Sequence, residues 1–390
     1  MLKKRLMTPG PTPVHPDASA VLGSPQPHHR TPDFRRVMAR TRGRLRDVFR
    51  TSGDVLILTS SGTGAMEASL VSLTRPGDQV VVVDSGKFGG RWRDIALAHG
   101  RKPLVVSPPA GQAVSPEEVA RAVVPAGGAT ALFFAACESS TGVRADTRAL
   151  AAAARKAAGS DLLVVVDAIT ELGAGPLETA AWDLDVVIGG AQKAFMIPPG
   201  LAFLALSSRA VARLESGGGG GYYFDLSREL KAQRQDSTAW TPASGLIAAL
   251  DTALDRLLEG GGMEQIWRAT QQRAGMTRAA LQAMGLTLYA ADPAVSLTAA
   301  CAPAGLDSGR IVAEVERNFG VRLAGGQGSL KGKIFRIAHL GYIDMVDTLG
   351  TLGAVGATLE RLGAPVDTAA GMAAAVSCMS AAVVEAGSQA

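Results

Sequence analysis

Cysteine and histidine are scarce in this chain of 390 residues. The three cysteines, Cys137, Cys301 and Cys378, are odd in number and far apart, which excludes a disulfide framework and a cysteine-rich zinc module. The five histidines show no HExxH pattern and no other metal-ligand spacing. We therefore expect no dedicated metal site.

Long apolar runs are also missing. The basic start of the chain reaches Pro9 without the apolar segment of a secretory signal. The longest uncharged stretch, residues 368–384, has 17 residues, mostly Ala, Ser, Gly and Val. A membrane helix needs about 20 strongly apolar residues. The sequence therefore predicts a soluble, cytoplasmic protein without a membrane segment.

The net charge is small but unevenly distributed. The 39 Lys and Arg residues exceed the 35 Asp and Glu residues by four, and the first 50 positions hold 11 of the basic residues against three aspartates. Much of this excess lies at 34–50, where apolar side chains recur at helical spacing. We interpret this segment as a core-facing helix with a solvated arginine face. Nucleic-acid binding is disfavoured, because aromatic interleaving and a known binding motif are both missing.

Apolar residues make up 47% of the chain, enough for a large buried core. From residue 50 onward, β-rich runs alternate with helical stretches. The predicted strands lie at 55–59, 79–84, 103–107, 129–135, 161–168, 185–190 and 201–207. Near-continuous apolar strands joined by crossover helices are typical of a mainly parallel sheet covered on both faces. We therefore predict one large α/β domain with a seven-stranded sheet.

The remainder of the chain predicts a second, smaller α/β unit. Its strands are expected at 296–303 and 333–340, and its helices near 308–318 and 344–361. Before it lies a run of five glycines, Gly217–Gly221, which we expect to form a mobile loop. After Pro365 the Ala- and Ser-rich tail predicts either a poorly ordered end or a docked helix.

Three strand ends carry unusual residues, and open parallel sheets bind ligands at such ends. At the first, Ser61, Gly62 and Thr63 lie between a strand and a helix. Small residues let the backbone approach an anion, and a helix start favours phosphate, although a tight strand–helix turn would look similar. The Gly-Lys-Ser/Thr of a Walker loop is absent. A nicotinamide dinucleotide stays open at this point, because Asp84 ends the next strand as a ribose-binding acid would.

The other two strand ends offer a carboxylate and an amine. Asp167 ends an apolar strand, where a carboxylate needs a cationic or hydrogen-bonded partner; an N-cap or a structural ion pair would also meet that need. Lys193 follows the next strand in apolar, glycine-rich surroundings, and lysines are rarely buried without a partner. Desolvation lowers the pKa of an amine, which suits a nucleophile or a base.

Together these groups match the needs of one cofactor. Pyridoxal 5′-phosphate requires a phosphate anchor, a carboxylate for its pyridine nitrogen and a lysine for its Schiff base. A nicotinamide enzyme has no use for the lysine. If the three strands are neighbours, their ends meet in one crevice.

Several motifs occur in a specific order and spacing: TPGPTPV (8–14), HRTPDF (29–34), SSGTGAMEA (60–68), ESSTG (138–142), VVDA (165–168), GGAQKAF (189–195), PPG (198–200) and GKIFRIAHLG (332–341). On these motifs the sequence, from Thr8 to about Leu362, resembles the class V, fold-type I pyridoxal-phosphate aminotransferases. Within them it is most similar to the alanine–glyoxylate, serine–glyoxylate and serine–pyruvate aminotransferases.

The resemblance implies the fold-type I architecture: a large domain with a mainly parallel seven-stranded sheet between helices, and a smaller C-terminal α/β domain. The expected boundaries are an N-terminal segment over the active site (1–15), the large cofactor-binding domain (16–258), the small domain (259–366) and the Ala/Ser-rich tail (367–390).

The resemblance also implies a role for each matching residue. Lys193 corresponds to the Schiff-base lysine and Asp167 to the partner of the pyridine nitrogen. The other implied cofactor contacts are Ser61, Gly62 and Thr63 at the phosphate, Phe88 stacked on the ring, Ser139 at the ring hydroxyl and Gln192 beside the phosphate. The substrate is implied to meet Arg336, which pairs with its α-carboxylate. Gly10 lies where the N-terminal backbone closes over the substrate.

In this family a Tyr/Thr-bearing segment of the second subunit also contacts the phosphate. The corresponding segment here, 236–241, has no tyrosine at that place, so Thr241 is the expected contact. The precedent further implies a homodimer with both active sites at the interface.

The expected reaction is transamination from a small amino acid, alanine or serine, to glyoxylate or pyruvate. A 2-aminoethylphosphonate aminotransferase is the nearest alternative. A cysteine desulfurase or lyase is less favoured, because desulfurases place a histidine before the lysine and Gln192 stands there. The alternative of a nicotinamide-linked oxidoreductase is supported only by Gly62, Gly64 and Asp84. A catalytically silent binding protein is the remaining alternative, but it would not need Lys193 and Asp167.

Overall fold

Strands and helices alternate along the computed structural model, which describes residues 2–124, 128–217 and 220–387. The strands are β1 (Arg5–Leu6), β2 (Asp54–Thr59), β3 (Gln79–Val83), β4 (Lys102–Val106), β5 (Ala131–Ala135), β6 (Cys137–Glu138), β7 (Val143–Arg144), β8 (Leu163–Asp167), β9 (Val186–Gly190), β10 (Leu201–Leu206), β11 (Leu297–Cys301), β12 (Val321–Arg322), β13 (Ala324–Gly325) and β14 (Ile334–Ala338). The α-helices are α1 (Pro16–Leu22), α2 (Pro32–Phe49), α3 (Gly62–Leu73), α4 (Lys87–Ala98), α5 (Pro116–Ala122), α6 (Thr147–Ala158), α7 (Ser208–Glu215), α8 (Leu226–Gln233), α9 (Ser244–Leu258), α10 (Gly262–Ala283), α11 (Ser308–Phe319), α12 (Met345–Arg361) and α13 (Thr368–Gly387). Two positions of the predicted glycine loop, Gly218 and Gly219, lie outside the described residues.

The seven predicted strands form one sheet in the order β2-β10-β9-β8-β5-β3-β4. The strands from β9 to β4 are parallel. β10 lies antiparallel between β2 and β9, with Leu201 opposite Thr59 and Ala202 opposite Gly190. The predicted α/β fold with a mainly parallel seven-stranded sheet is therefore confirmed. Because β2 and β9 both run antiparallel to β10, their carboxyl ends lie at the same edge of the sheet.

Both faces of the sheet are covered by helices. Phe133 and Phe134 are neighbours on β5 and therefore point to opposite faces. Phe133 packs on Trp92 of α4, with ring centroids 4.7 Å apart, in a cluster that includes side chains of α3, α7 and α8. Phe134 belongs to a second cluster with side chains of α2, α5, α6 and α9. Burial on both sides explains why the strands are continuous apolar runs rather than alternating ones.

The C-terminal residues form a smaller α/β unit. β14 pairs antiparallel with both β11 and β13, and β11 and β14 occupy the two predicted strand positions. The predicted helices correspond to α11 and α12. The two-residue strands β12 and β13 were not predicted, since two residues carry no periodic pattern. β1 pairs with β12, with Arg5 opposite Val321, which ties the start of the chain to this unit.

Residues 368–387 of the Ala-rich tail form a docked helix rather than a poorly ordered end, and residues 388–390 lie outside the described part of the chain. α13 packs on α10 and α12, and Ala375 is fully buried. Gly371 lies so close to the end of α10 that an added Cβ would stand 2.4 Å from Cγ of Met284. The domain boundaries at 15/16, 258/259 and 366/367 stay predictions. Within the described ranges, no helix combines the length and the hydropathy that a membrane span requires.

Candidate active site

One cavity of about 190 Å³ lies at the carboxyl edge of the sheet, where β2, β8 and β9 end. Nine of the predicted site residues line it: Gly10, Ser61, Gly62, Thr63, Phe88, Ser139, Asp167, Gln192 and Lys193. A water molecule occupies about 30 Å³ in the liquid, so the cavity has room for a ligand several times that size. The expectation that the three strand ends converge is thus met in the fold, although β10 separates β2 from β9.

Lys193 is almost buried and faces the N-terminal segment. Its side chain is 8% exposed, and its Nζ donates a hydrogen bond to the carbonyl oxygen of Pro9 at 2.5 Å. Burial lowers the pKa of this amine to about 8, against a weaker upward effect of Cys137 and Asp167. At neutral pH a larger fraction of this amine is therefore unprotonated than for an exposed lysine.

The N-terminal segment is held over Lys193 by its backbone. Thr12 donates from its amide to the carbonyl oxygen of Gln192 at 3.0 Å, and from Oγ1 to that of Lys193 at 2.7 Å. Gly10 has a φ of 145°, a conformation that favours glycine, and an added Cβ would stand 2.3 Å from the lysine Nζ. A side chain at position 10 would therefore displace the amine.

Asp167, at the end of β8, is buried, and few hydrogen bonds offset the cost of removing its carboxylate from water. Its Oδ1 accepts one hydrogen bond, from the amide of Ile169 at 3.0 Å, and its other oxygen has no partner among the described residues. Burial raises the pKa of this carboxyl group to about 6. A buried, ionised carboxylate with one hydrogen bond would be stabilised by a further donor, such as a protonated ring nitrogen.

The start of α3 is open to an anion. Ser61 is its N-cap, but the serine side chain makes no capping hydrogen bond. The amides of Gly62 and Thr63 donate to no acceptor among the described residues, whereas the amide of Gly64 donates to the carbonyl oxygen of Ser61. The hydroxyl of Thr63 accepts a hydrogen bond from Nη1 of Arg91 at 2.8 Å. A helix start with two hydroxyl groups beside it suits a phosphate.

Phe88 forms a wall of the cavity, and Glu138 holds it in place. Oε2 of Glu138 accepts hydrogen bonds from the amides of Phe88 and Gly89, both at 3.0 Å, at the start of α4. Its Oε1 accepts from the amide and hydroxyl of Ser140, at 3.1 and 2.6 Å. Gly86, with a φ of 156°, leaves room for this carboxylate, since an added Cβ would stand 2.7 Å from its Cγ.

Arg336, on β14 of the smaller unit, does not line the cavity, but it bonds to Ser139, which does. It is 5% exposed; Nη1 donates to the carbonyl oxygen of Ser139 at 2.5 Å, and Nε and Nη2 donate to that of Gly325 at 3.1 and 2.7 Å. Its hydrogen bonds to protein all go to backbone carbonyls, and no carboxylate of the described chain forms an ion pair with it. A substrate carboxylate would be its counter-ion.

Thr241 does not line this cavity. It is exposed and borders a separate cavity with Thr59 and Tyr223, near the end of β2. Its predicted contact is with the cofactor of a second subunit, and that role stays a prediction. Gln192 does line the main cavity, and its buried amide oxygen has no hydrogen-bond partner within the described residues.

The residues present fit pyridoxal 5′-phosphate. The under-compensated carboxylate of Asp167 suits its ring nitrogen, the amine of Lys193 suits its aldehyde, and the uncapped start of α3 suits its phosphate. The single hydrogen bond of the Asp167 carboxylate and the uncapped start of α3 are unusual for structural positions, because buried polar groups are normally hydrogen-bonded within the fold.

The sequence analysis missed Arg91 and Glu138 as site residues. Arg91 lies three positions after Phe88, the spacing that places two side chains on the same face of a helix, so this signal was available. Glu138 belongs to the ESSTG motif, but its bonds to α4 depend on the packing of distant segments. The thiol of Cys137 also lines the cavity, and burial raises its pKa.

Comparison with known proteins identifies the family of the chain. The family described as "Aminotransferase class-V" matches residues 17–338. A protein named "Soluble hydrogenase, small subunit" from Synechococcus sp. (strain PCC 6716) is 39% identical, over 93% of this chain and 94% of that protein. A serine–glyoxylate aminotransferase from Hyphomicrobium methylovorum is 30% identical, over 86% and 84%. The crystal structure of an aspartate aminotransferase from Thermus thermophilus superposes with a TM-score of 0.86 at 38% identity, covering 92% of this chain and 99% of that one.

Proposed function

The chain belongs to the class V aminotransferases, which use pyridoxal 5′-phosphate, and we propose that it transfers the amino group of alanine or serine to glyoxylate or pyruvate. The observation that carries this proposal is the pair of buried groups on one cavity, the amine of Lys193 and the under-compensated carboxylate of Asp167. The serine–glyoxylate relative supports the choice of acceptor and of a small donor.

When bound, the cofactor supplies an electron-withdrawing ring that accepts charge from the substrate Cα. Asp167 holds a proton at the ring nitrogen, which increases that capacity. Arg336 would bind the α-carboxylate, and the amine of Lys193 would accept the proton from the substrate Cα and deliver it to C4′ of the cofactor. The segment around Gly10 covers the amine and excludes water from it. Phe88 orients the ring.

A small neutral donor is favoured over an acidic one. Arg336 offers one guanidinium for one carboxylate. Arg91, whose guanidinium belongs to a residue that lines the cavity, donates to Oγ1 of Thr63 at the start of α3. Because the Thermus thermophilus neighbour is an aspartate aminotransferase, aspartate is the donor against which alanine and serine must be compared.

We infer a cytoplasmic homodimer with shared active sites. The three cysteines are free thiols, as is usual in a reducing compartment. Tyr222, which is 72% exposed, forms a tilted ring pair with Trp240 of the segment 236–241, with ring centroids 5.2 Å apart. Aromatic residues of this kind are enriched at protein interfaces. If a partner subunit bound to this surface, Thr241 would lie next to the cofactor of that partner.

The other reactions have less support. A desulfurase needs a thiolate, whereas burial keeps the thiol of Cys137 protonated by raising its pKa. Among the described residues, no group of three or more His, Cys, Asp or Glu side chains is placed to hold a metal ion. A 2-aminoethylphosphonate donor would leave Arg336 without an α-carboxylate.

A donor screen tests the proposal. The purified protein is mixed with each of about twenty amino acids, and loss of the visible absorbance of the bound cofactor is followed; glycine formation from glyoxylate then measures the complete reaction. We expect alanine or serine to give the largest kcat/KM and aspartate a smaller one. Absence of glycine with every donor would contradict the proposal, and sulfide release from cysteine would favour the desulfurase.

A further inference from the structure

Arg91 is a cation in the cavity with no counter-ion. It lies on α4, with its Cζ 4.7 Å from the centroid of the Phe88 ring, and Nη1 donates to Oγ1 of Thr63. A guanidinium has five N–H donors. Among the described residues Thr63 is its only hydrogen-bond acceptor, and no carboxylate lies within 4.0 Å of it.

Arg93, on the same helix, forms ion pairs with two carboxylates. Nη1 of Arg93 lies 2.7 Å from Oδ2 of Asp84, and Nη2 lies 3.0 Å from Oδ1 of Asp94. The two arginines share one helix and are separated by one residue. Only Arg91 lines the cavity, and only Arg91 keeps most of its donors free.

The charges around the cavity show where an anion would bind. Lys193 and Arg91 are the two cationic side chains that line it, and Arg91 is the one bonded to the first turn of α3. A helix start supplies only about half a unit of positive charge, whereas a phosphate monoester carries close to two negative charges at neutral pH. The start of α3 alone therefore leaves much of that charge uncompensated.

We propose that Arg91 binds the phosphate of the cofactor together with the start of α3, and so makes this site select the phosphorylated ring. The proposal rests on the proposed function, since it assumes a phosphorylated pyridine in this cavity. A guanidinium suits the task because its planar fork matches phosphate oxygens. Its position over the Phe88 ring fixes the direction of the fork.

Two other roles for Arg91 make different predictions. If it only held Phe88 in place, its loss would weaken every ring-shaped ligand equally. If it bound the distal carboxylate of an acidic donor, its loss would change the KM for aspartate and leave cofactor binding unaltered. Comparing pyridoxal 5′-phosphate with pyridoxal, which lacks the phosphate, separates these roles.

The test measures the Kd of both compounds for the full-length apoenzyme by fluorescence titration. The proteins are the wild type, Arg91→Met, Arg91→Lys and the matched control Arg93→Met. We expect Arg91→Met to raise the Kd of pyridoxal 5′-phosphate about 10- to 100-fold, as the loss of a charge-assisted hydrogen bond implies, and that of pyridoxal less than about twofold. Arg91→Lys should recover part of the loss, and Arg93→Met should change neither Kd.

The proposal would be overturned if the ratio of the two Kd values in Arg91→Met equalled the wild-type ratio. Both Kd values rising together would indicate that Arg91 only holds Phe88, and a higher KM for aspartate with unchanged Kd values would indicate that it binds the donor. A wild-type apoenzyme that binds the two compounds equally would also overturn the proposal, whereas one that binds neither would contradict the proposed function. Melting curves of the four proteins verify folding, and the Arg91→Lys variant keeps the comparison informative if Arg91→Met is unstable.

Discussion

Two buried aspartates of the same sheet, Asp185 and Asp167, differ in how many hydrogen bonds they accept from the protein. Asp185 lies just before β9 and is fully buried; its oxygens accept hydrogen bonds from the amide of Val164 at 2.8 Å, from Oγ of Ser207 at 2.7 Å, from Nε of Arg209 at 2.9 Å and from Arg155. Asp167 ends β8 at the opposite edge and accepts a single hydrogen bond from the protein.

The difference separates a structural carboxylate from a functional one. Desolvating a carboxylate costs free energy, which the partners of Asp185 offset within the chain itself. For Asp167 the cost is largely uncompensated, and the raised pKa of about 6 expresses it. Asp167 is therefore poised to bind a ligand, whereas Asp185 has its partners within the chain.

The largest effect is expected at the amine that shares the cavity with Asp167. Lys193→Ala should lower turnover at least about 10³-fold, because both the base and the covalent anchor are lost. Steady-state assays with the preferred donor and glyoxylate measure this. Lys156→Ala, at an exposed lysine of α6, is the control and should keep wild-type activity. Residual turnover above one tenth of wild type would contradict the role.

Removing the structural carboxylate should act on stability. Asp185→Ala leaves Arg155 and Arg209 without their shared partner and should lower the free energy of unfolding by about 3–5 kcal/mol. Urea unfolding of the apoenzyme followed by circular dichroism measures the loss. A change below about 1 kcal/mol would show that the two aspartates do not differ as described.

The opposite pattern is expected for Asp167→Asn. Because ionisation of Asp167 is unfavourable in the folded apoenzyme, the neutral side chain should leave the unfolding free energy at pH 7.5 unchanged or increase it. Activity should fall about 10²- to 10³-fold, since the ring nitrogen loses its negative partner. The same unfolding and steady-state measurements apply. A loss of stability as large as that of Asp185→Ala would contradict the comparison.

The smallest effect is a shift in pH dependence. The amine must be unprotonated to react with the cofactor aldehyde, so the rate of cofactor binding to apoenzyme should rise with pH through a midpoint near the Lys193 pKa of about 8. The charge of Asp167 raises that pKa, so Asp167→Asn should move the midpoint to lower pH. Stopped-flow absorbance measures the rates, and Asp94→Asn, an exposed carboxylate, should leave the midpoint in place.

Much of the fold was predictable because both faces of the sheet are buried. The resulting apolar runs identify each strand, but a run carries no information on strand order, so the antiparallel insertion of β10 needed the structure. Asp167 and Lys193 were recognisable as charged residues at the ends of apolar strands. Glu138 was not, since its bonds to α4 arise only when two distant segments pack together.

Covalent mapping of the cofactor tests the central claim most directly. Reduction of the holoenzyme with borohydride fixes the cofactor to the lysine that carries it, and mass spectrometry of the peptides locates the adduct. The account predicts a phosphopyridoxyl group on Lys193, and its loss in Lys193→Ala. An adduct on another lysine, or none in protein purified with the cofactor present, would contradict it.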